Sequence, residues 1–291
     1  DARGITASFA YDALNRLTSI TYPTSGEDVT YGYDTCANGI GRLCSFTDPT
    51  GTRTYAYDGL GRTTSVIWTT SNQVFTTSYT WTPADRLASI TYPSGRVVSY
   101  TRNSLGQISA IATGGQNIVT GRTYRADGLL TGQTYGNGLV DTRAYDLQGH
   151  LASWATGSID SRSYGYDANG NITSINATTF GYDWLDRIVS SNSMLNFTWD
   201  ANGNRQADGA GSYAYSPSSN RMMSNPSGAV TLDAAGNTLS ANGLNFEFNQ
   251  AGRLAAARSS GNLLGQYAYS FDGHRAQKLV QGATTLFHYG V

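Results

Sequence analysis

Charge is scarce in this sequence. Asp, Glu, Lys and Arg make up 13% of the 291 residues, 19 basic against 20 acidic for a formal net charge of −1. Such a balance gives no field for holding a polyanion, so nucleic acid is not an expected partner. Lys278 is the only lysine, and the arginines often sit just after a turn, where pairing with Asp explains them better than a basic patch. Histidine is limited to His150, His274 and His288, too scattered for a zinc cluster or a triad. No apolar run approaches the roughly 20 residues of a bilayer-spanning helix, so no membrane span is expected. Asp1 is not followed by a basic-then-apolar leader. No stretch has the period of an amphipathic helix.

Cysteine is nearly missing too. Cys36 and Cys44 flank Asn38-Gly39-Ile40-Gly41, a hairpin tip longer by four residues than the one from Tyr57 to Gly61. Bridged across that tip, they would stabilise it by about 2–3 kcal/mol on the loop-entropy estimate and would place the protein outside the reducing cytosol. The alternative is a pair of buried thiols; a redox or metal role lacks a CxxC or a neighbouring His.

What the sequence has in quantity is Gly (34), Tyr (20), Ser and Thr, the composition of half-wet β-structure with tight turns. It also has one phrase written many times. Tyr57-Asp58-Gly59-Leu60-Gly61-Arg62 returns as Tyr11-Asp12 to Arg16, Tyr145-Asp146 to Gly149-His150, Tyr166-Asp167 to Gly170-Asn171, Tyr182-Asp183 to Arg187, Trp199-Asp200 to Gly203-Asn204, and Phe271-Asp272 to Arg275. The aromatic suits the last position of a strand. Asp accepts hydrogen bonds from backbone N–H groups two residues on, and Gly or Asn three residues after it tolerates the positive φ of a type I turn closed through a G1 bulge. Arg then restarts a strand.

Degenerate copies lacking Asp occur at Trp81-Thr82, Arg102-Asn103, Tyr124-Arg125 and Tyr215-Ser216. Anchor separations run from 21 to 24 residues up to Tyr166, then 16 or 17 to Phe248, then 23. A second turn lies midway between tips in Pro23-Thr24-Ser25-Gly26, Pro49-Thr50-Gly51, Pro93-Ser94-Gly95 and Gly136-Asn137-Gly138. Each repeat therefore holds two strands and two turns, with the two kinds of turn on opposite rims of an antiparallel meander. The expected organisation is a single repeat segment over 1–291, with longer repeats at 1–165, shorter ones with shorter strands at 166–248, and a longer one at 249–291. A chain that starts and stops inside repeats reads as part of something longer.

The recurrent YDxxGR phrase, YDTCANGIGRLCSFTDPTG, YRADGLLTGQTYGNGL and YDANGNITSI resemble bacterial RHS, or YD-repeat, proteins, whose relatives include toxin-complex shells and teneurins. The likeness covers essentially the whole chain. It implies an all-β fold of antiparallel hairpins in a sheet spiralling into a hollow shell. It further implies a non-enzymatic, secreted or cell-surface role, with a C-terminal toxin or effector domain of the parent chain, or neighbouring repeats, as partner. The self-cleavage motif of such shells, Asp-Pro-x-Gly-Leu, is not found; Asp48-Pro49-Thr50-Gly51 is followed by Thr52 and reads as a midway turn. About 28 strands at roughly 4.8 Å each would give a ring near 40 Å across, too wide for side chains to fill. The rival architecture is a seven-bladed propeller, since two long repeats approximate one blade.

No catalytic site, metal or cofactor is indicated. Asp12, Asp34, Asp58, Asp146, Asp167, Asp183, Asp200, Asp233 and Asp272 are read as turn-closing. Paired carboxylates could serve glycoside hydrolysis, but identical residues at every tip argue for structure. Asp200-Ala201-Asn202-Gly203-Asn204 alternates oxygen ligands yet lacks the Glu of a calcium loop. Exposed Tyr and Trp could stack on sugars; cross-strand packing is the plainer explanation. The competing function is a surface or adhesive module, and open strand edges invite edge-to-edge self-association.

Overall fold

The computed structural model describes residues 1–70, 73–191 and 195–289. Strands account for nearly all of its regular structure. One turn of 3-10 helix at Ser25–Glu27 interrupts them, in the midway turn after Pro23, and no α-helix occurs among the described residues. Consecutive strands pair antiparallel, as Leu43–Asp48 does with Gly51–Tyr57 and Gly51–Tyr57 with Thr63–Thr70, and among the described residues the pairing is broken after Leu195–Asn196, Gly211–Ser212 and Gly228–Ala229. The register shifts by one residue just before the anchor aromatic: between Ala10 and Tyr11, Gly32 and Tyr33, Ala56 and Tyr57, Ala144 and Tyr145, Gly165 and Tyr166, Gly181 and Tyr182. That shift is the bulge closing a three-residue hairpin loop, and Gly61 supplies its positive φ of 81°.

The chain forms two compact units. The first joins Asp1–Ser78 to Tyr213–Val291, and the second is Tyr79–Ser212. In the first unit, a run of seven consecutive strands leads from Ser8–Tyr11 to the strand that begins at Gln73, and a second seven-stranded sheet leads from Thr231–Leu232 to Ala283–Leu286. Neither run breaks after four strands, so these are not propeller blades; the hairpins form continuous meanders. Its core holds Val29, Cys44, Phe46, Trp68, Val230, Ala256, Ala257 and Ala276.

In the second unit consecutive strands pair as far as Leu195–Asn196, after which Thr198–Trp199, Arg205–Asp208 and Gly211–Ser212 form a separate three-stranded sheet; Tyr79, Ile90, Val119, Gln133 and Asp141 are buried. Strand length follows repeat length. Gly51–Tyr57 has 7 residues and Thr63–Thr70 has 8, whereas Ile172–Ile175 has 4 and Thr198–Trp199, Gly211–Ser212, Ala214–Tyr215 and Gly228–Ala229 have 2 each. Most strand residues are half-buried on both faces: Leu17–Thr21, where Leu17 and Ile20 point opposite ways, is intermediate until its last residue.

Candidate functional site

Among the described residues no group of His, Cys, Asp and Glu gathers as a metal site would, so the site is built from what the repeats do to one another. At the Tyr57 tip the Asp58 N–H donates to the Arg62 carbonyl at 3.0 Å and the Gly61 N–H to the Asp58 carbonyl at 2.9 Å. Asp58 Oδ1 accepts from the N–H groups of Leu60 and Arg62 at 2.9 and 3.0 Å, and Oδ2 takes Arg62 Nε at 2.7 Å. The same set closes the Asp12 and Asp183 tips with Arg16 and Arg187. Asn171 and Asn204 replace the arginine at Asp167 and Asp200, and the His150 ring replaces it at Asp146. Without an Asp, Asn103 does the same work through its amide oxygen, accepting from Leu105 and Gln107.

These bonds favour the ionised carboxyl. The Arg62 side chain and then its backbone N–H hold Asp58 below the usual carboxylate range. For Asp12 the backbone N–H of Arg16 is the largest cause, for Asp183 the Arg187 side chain, and for Asp167 the Asn171 side chain. A general acid for glycoside hydrolysis needs the opposite shift. Among the described residues no group of three or more His, Cys, Asp or Glu is placed to hold a metal, and Asp200–Asn204 is folded as a tip. No helix of the described residues is long and apolar enough to cross a membrane.

A second set of bonds ties many of the repeats to the one before. The anchor tyrosine donates its hydroxyl to the carbonyl of the residue that restarts the preceding strand: Tyr33 to Leu17, Tyr57 to Leu43, Tyr124 to Ile108, Tyr145 to Leu130, Tyr166 to Leu151 and Tyr182 to Ile172, at 2.6–2.9 Å. At two anchors that are not tyrosine the donor changes but the acceptor position does not: Trp199 Nε1 reaches the Ile188 carbonyl at 2.8 Å and Arg102 reaches that of Leu87 at 3.1 Å. The tyrosines offered above for sugar stacking thus spend their hydroxyls on the wall itself. Tip arginines add a further link, Arg16 to Asp34, Arg42 to the Gly61 carbonyl, Arg125 to that of Asp146 and Arg187 to that of Asp200. Cys36 and Cys44 are joined across the lengthened tip, S–S 2.09 Å, closing around Gly39, whose missing Cβ leaves room for both sulfurs.

The Phe271-Asp272 tip requires correction. The register shift falls between Ala268 and Tyr269, Ser270 N–H donates to the His274 carbonyl, and Gly273 N–H donates to that of Ser270. Tyr269 and Ser270 therefore hold the anchor and turn-closing positions, while Phe271 and Asp272 are the loop residues after them. Matching an aromatic followed by Asp misled the alignment by two positions; the backbone is set by where Gly273 can take its φ of 90°. Tyr289 is a further anchor, its hydroxyl on the Arg275 carbonyl at 2.9 Å.

Displaced into the loop, Phe271 gains a task that sequence reasoning missed. In the first unit, tips of the C-terminal strip rest on midway turns of the N-terminal strip, in the same order. Arg3, beside the turn at Asp1–Gly4, donates to the Asn249 and Gln250 carbonyls at 2.7 and 2.8 Å. Gln250 exchanges bonds with Thr24, and its N–H reaches Glu27 Oε2 at 2.9 Å. Phe271 inserts between Tyr31 and Phe46, ring centroids 5.3 and 4.3 Å away, and its N–H donates to Asp48 Oδ2 at 3.0 Å. His288 lies 5.1 Å from Trp68 and 4.3 Å from Phe75; burial and then Arg53 lower its pKa.

Asp48 is the centre of this seam. Its side chain is fully buried, Oδ1 accepts from Thr50 N–H and Oγ1 at 2.8 and 2.6 Å, and Arg53 stands 3.6 Å from Oδ2. The guanidinium lies over Trp68 and Phe46 at 4.7 and 5.3 Å. Burial raises Tyr31 to about 12. The aromatics Phe46 and Trp68 flanking an Asp-Pro turn were the available signal, but the partner lies 223 residues away.

A Teneurin YD-shell model matches residues 132–217, and an RHS Repeat model matches 1–27, 38–67 and 81–118. No curated relative matches in sequence. Among solved structures, TcdB2-TccC3-Cdc42 is similar over 96% of this chain at 18% identity and TM-score 0.81. The Photorhabdus luminescens Tc holotoxin pore is similar over 97% at 19% and 0.81, and TcdB2-TccC3 without its hypervariable C-terminal region over 96% at 18% and 0.80. This chain spans only 18% of the length of each of those chains. With both repeat models falling on the tyrosine-to-carbonyl ladder and its turns, and with the fold of those shells, the chain belongs to the RHS/YD-repeat family.

Proposed function

We propose that this chain is a stretch of extracytoplasmic shell wall whose parent polypeptide encloses or carries a toxin or effector domain. The observation that carries the reading is the self-bracing of the wall. Every anchor bond, tip link and seam contact joins repeat to repeat, which is how a thin sheet stays rigid without a thick apolar core. The fold shared with the TcdB2-TccC3 structures supports the containing role, and the Cys36–Cys44 disulfide supports a location outside the reducing cytosol.

The test is limited proteolysis of the parent polypeptide. A cargo domain should stay intact while exposed tips such as Leu147 and Trp184 are nicked, and should become cleavable once the wall is opened by a seam substitution. Cargo cut as fast as the tips, or a parent with repeats running into a surface anchor and no further domain, would refute containment and favour the adhesive module.

A further inference from the structure

Three bonds join the cysteine-bearing tip to the tip that follows it, and all three end inside the segment that the disulfide closes. The Asn38 amide donates to the Tyr57 carbonyl at 2.9 Å, Arg42 Nε donates to the Gly61 carbonyl at 3.2 Å, and the Tyr57 hydroxyl donates to the Leu43 carbonyl at 2.6 Å. The Arg42 guanidinium also lies 5.7 Å from the centre of the Tyr57 ring. The link to the preceding tip is different. Arg16 pairs with Asp34 at 2.6 Å, and Asp34 lies outside the bridged segment from Cys36 to Cys44. The covalent bridge therefore stands behind the forward contacts and not behind the backward one. Its two sulfurs are also unequal. Cys44 is 3% exposed, whereas Cys36 is half-buried at a tip where Thr35, Ala37, Asn38, Ile40 and Gly41 are exposed. An incoming thiolate meets Cys36 first. The Cys36 N–H donates to Cys44 Sγ at 2.9 Å, and a hydrogen bond to a sulfur that takes up negative charge favours its departure. Both observations select the same polarity, attack at Cys36 and departure of Cys44.

We propose that the Cys36–Cys44 bridge is a redox latch: a dithiol reductant attacks Cys36, Cys44 leaves as the thiolate, and the loosened loop lets go of the Tyr57 tip while Asp34 keeps its hold on the Arg16 tip. In the first step a thiolate of the reductant forms a bond to Cys36 Sγ, the Cys36–Cys44 bond breaks, and its electron pair goes to Cys44 Sγ. In the second, the reductant's other thiolate attacks its own sulfur in the mixed disulfide and frees Cys36. The dithiol is oxidised to a disulfide, and two electrons and two protons end on the two cysteines. The rim is thus braced in an oxidising compartment and slack in a reducing one. The strand ladder behind it, from Ser45 paired with Thr54 to Asp48 paired with Gly51, stays closed, so the change is confined to the tips. This goes beyond the wall role and holds whether or not a cargo is present.

Glutathione and dithiothreitol applied to the intact, folded chain test it. Brief exposure to glutathione, quenched with acid and mapped by mass spectrometry, should place the mixed disulfide on Cys36. After reduction by dithiothreitol, amide exchange should quicken by up to roughly eightyfold within the segment from Cys36 to Cys44, the loop-entropy value for a closed loop of that size. It should quicken by roughly fivefold or more at Gly61 and Arg62, the effect of losing about one net hydrogen bond, and by less than about twofold at Leu14 and Arg16. Asn38→Ala with the bridge intact should loosen Gly61 and Arg62 without any reductant, which separates the hook from the bridge. The double variant Cys36→Ser, Cys44→Ser should reproduce the reduced pattern; if it does not fold, the reduced wild type supplies the comparison by itself. A bridge that yields to dithiothreitol only in urea, a mixed disulfide on Cys44, exchange that rises equally at the Leu14 and Leu60 tips, or Gly61 and Arg62 left unchanged by reduction or by Asn38→Ala would each overturn the proposal.

Discussion

Replacing Asp48 with alanine is the sharpest perturbation of the seam. The carboxylate accepts from Thr50 N–H at 2.8 Å, from Thr50 Oγ1 at 2.6 Å and from Phe271 N–H at 3.0 Å, with Arg53 at 3.6 Å. Hydrogen bonds to a charged group are worth about 1.5–3 kcal/mol each, but these share one acceptor and do not add. Removing one member of a buried pair costs about 3–5 kcal/mol, much of it from the charge left behind. Arg53 is left with Trp68 and Phe46 faces and the Thr50 hydroxyl as company, so the upper half of that range is expected. Urea unfolding followed by tryptophan fluorescence measures the loss, and amide exchange at Phe271 shows whether the seam opens first. Asp58→Ala is the control, because its carboxylate closes a local, solvent-facing tip. A loss under about 1 kcal/mol, or one no greater than for Asp58→Ala, would refute the claim that Asp48 joins the two strips.

Gly61→Val should cost roughly 1–3 kcal/mol, because the φ of 81° is strained for a β-branched residue and the new Cβ would collide with the Arg42 guanidinium; unchanged thermal stability would refute the turn assignment. Tip carboxyls such as Asp12, Asp58 and Asp183 titrate lower folded than unfolded. Their stabilisation is therefore complete above the ordinary carboxylate pKa of about 4 and lost as pH falls through the lowered values. Urea midpoints measured from pH 7 downward should fall modestly from about pH 6.5, where protonating His288 begins to cost stability because its folded pKa is lowered, and more steeply below about pH 5, the second drop shallower in Asp58→Asn; a midpoint that rises on acidification contradicts this. Alkylation of native protein without reductant should leave Cys36 and Cys44 unlabelled, and quantitative labelling would break the link to an oxidising compartment.

The repeat, its turn chemistry and the bridgeable cysteines were legible in the sequence because they are local. An Asp that bonds N–H groups two and four residues on, and a Gly that alone takes positive φ, leave their mark within six letters. Strand lengths followed from anchor spacing for the same reason. The two-position slip at Tyr269-Ser270 shows the limit of that legibility. Phe271-Asp272 imitates an anchor pair, and only the backbone ladder, with its register shift at Ala268, distinguishes them. The tyrosine-to-carbonyl bonds span 10 to 16 residues and were visible at most as a constant offset from each Tyr to the aliphatic residue restarting the previous strand. What the tertiary structure alone decided is the seam. Whether Asp48 is a solvated turn residue or a buried acceptor for an N–H 223 residues away depends on how the strip curves back. Curvature is the sum of many small twists and bulges, and no short stretch of sequence contains that sum.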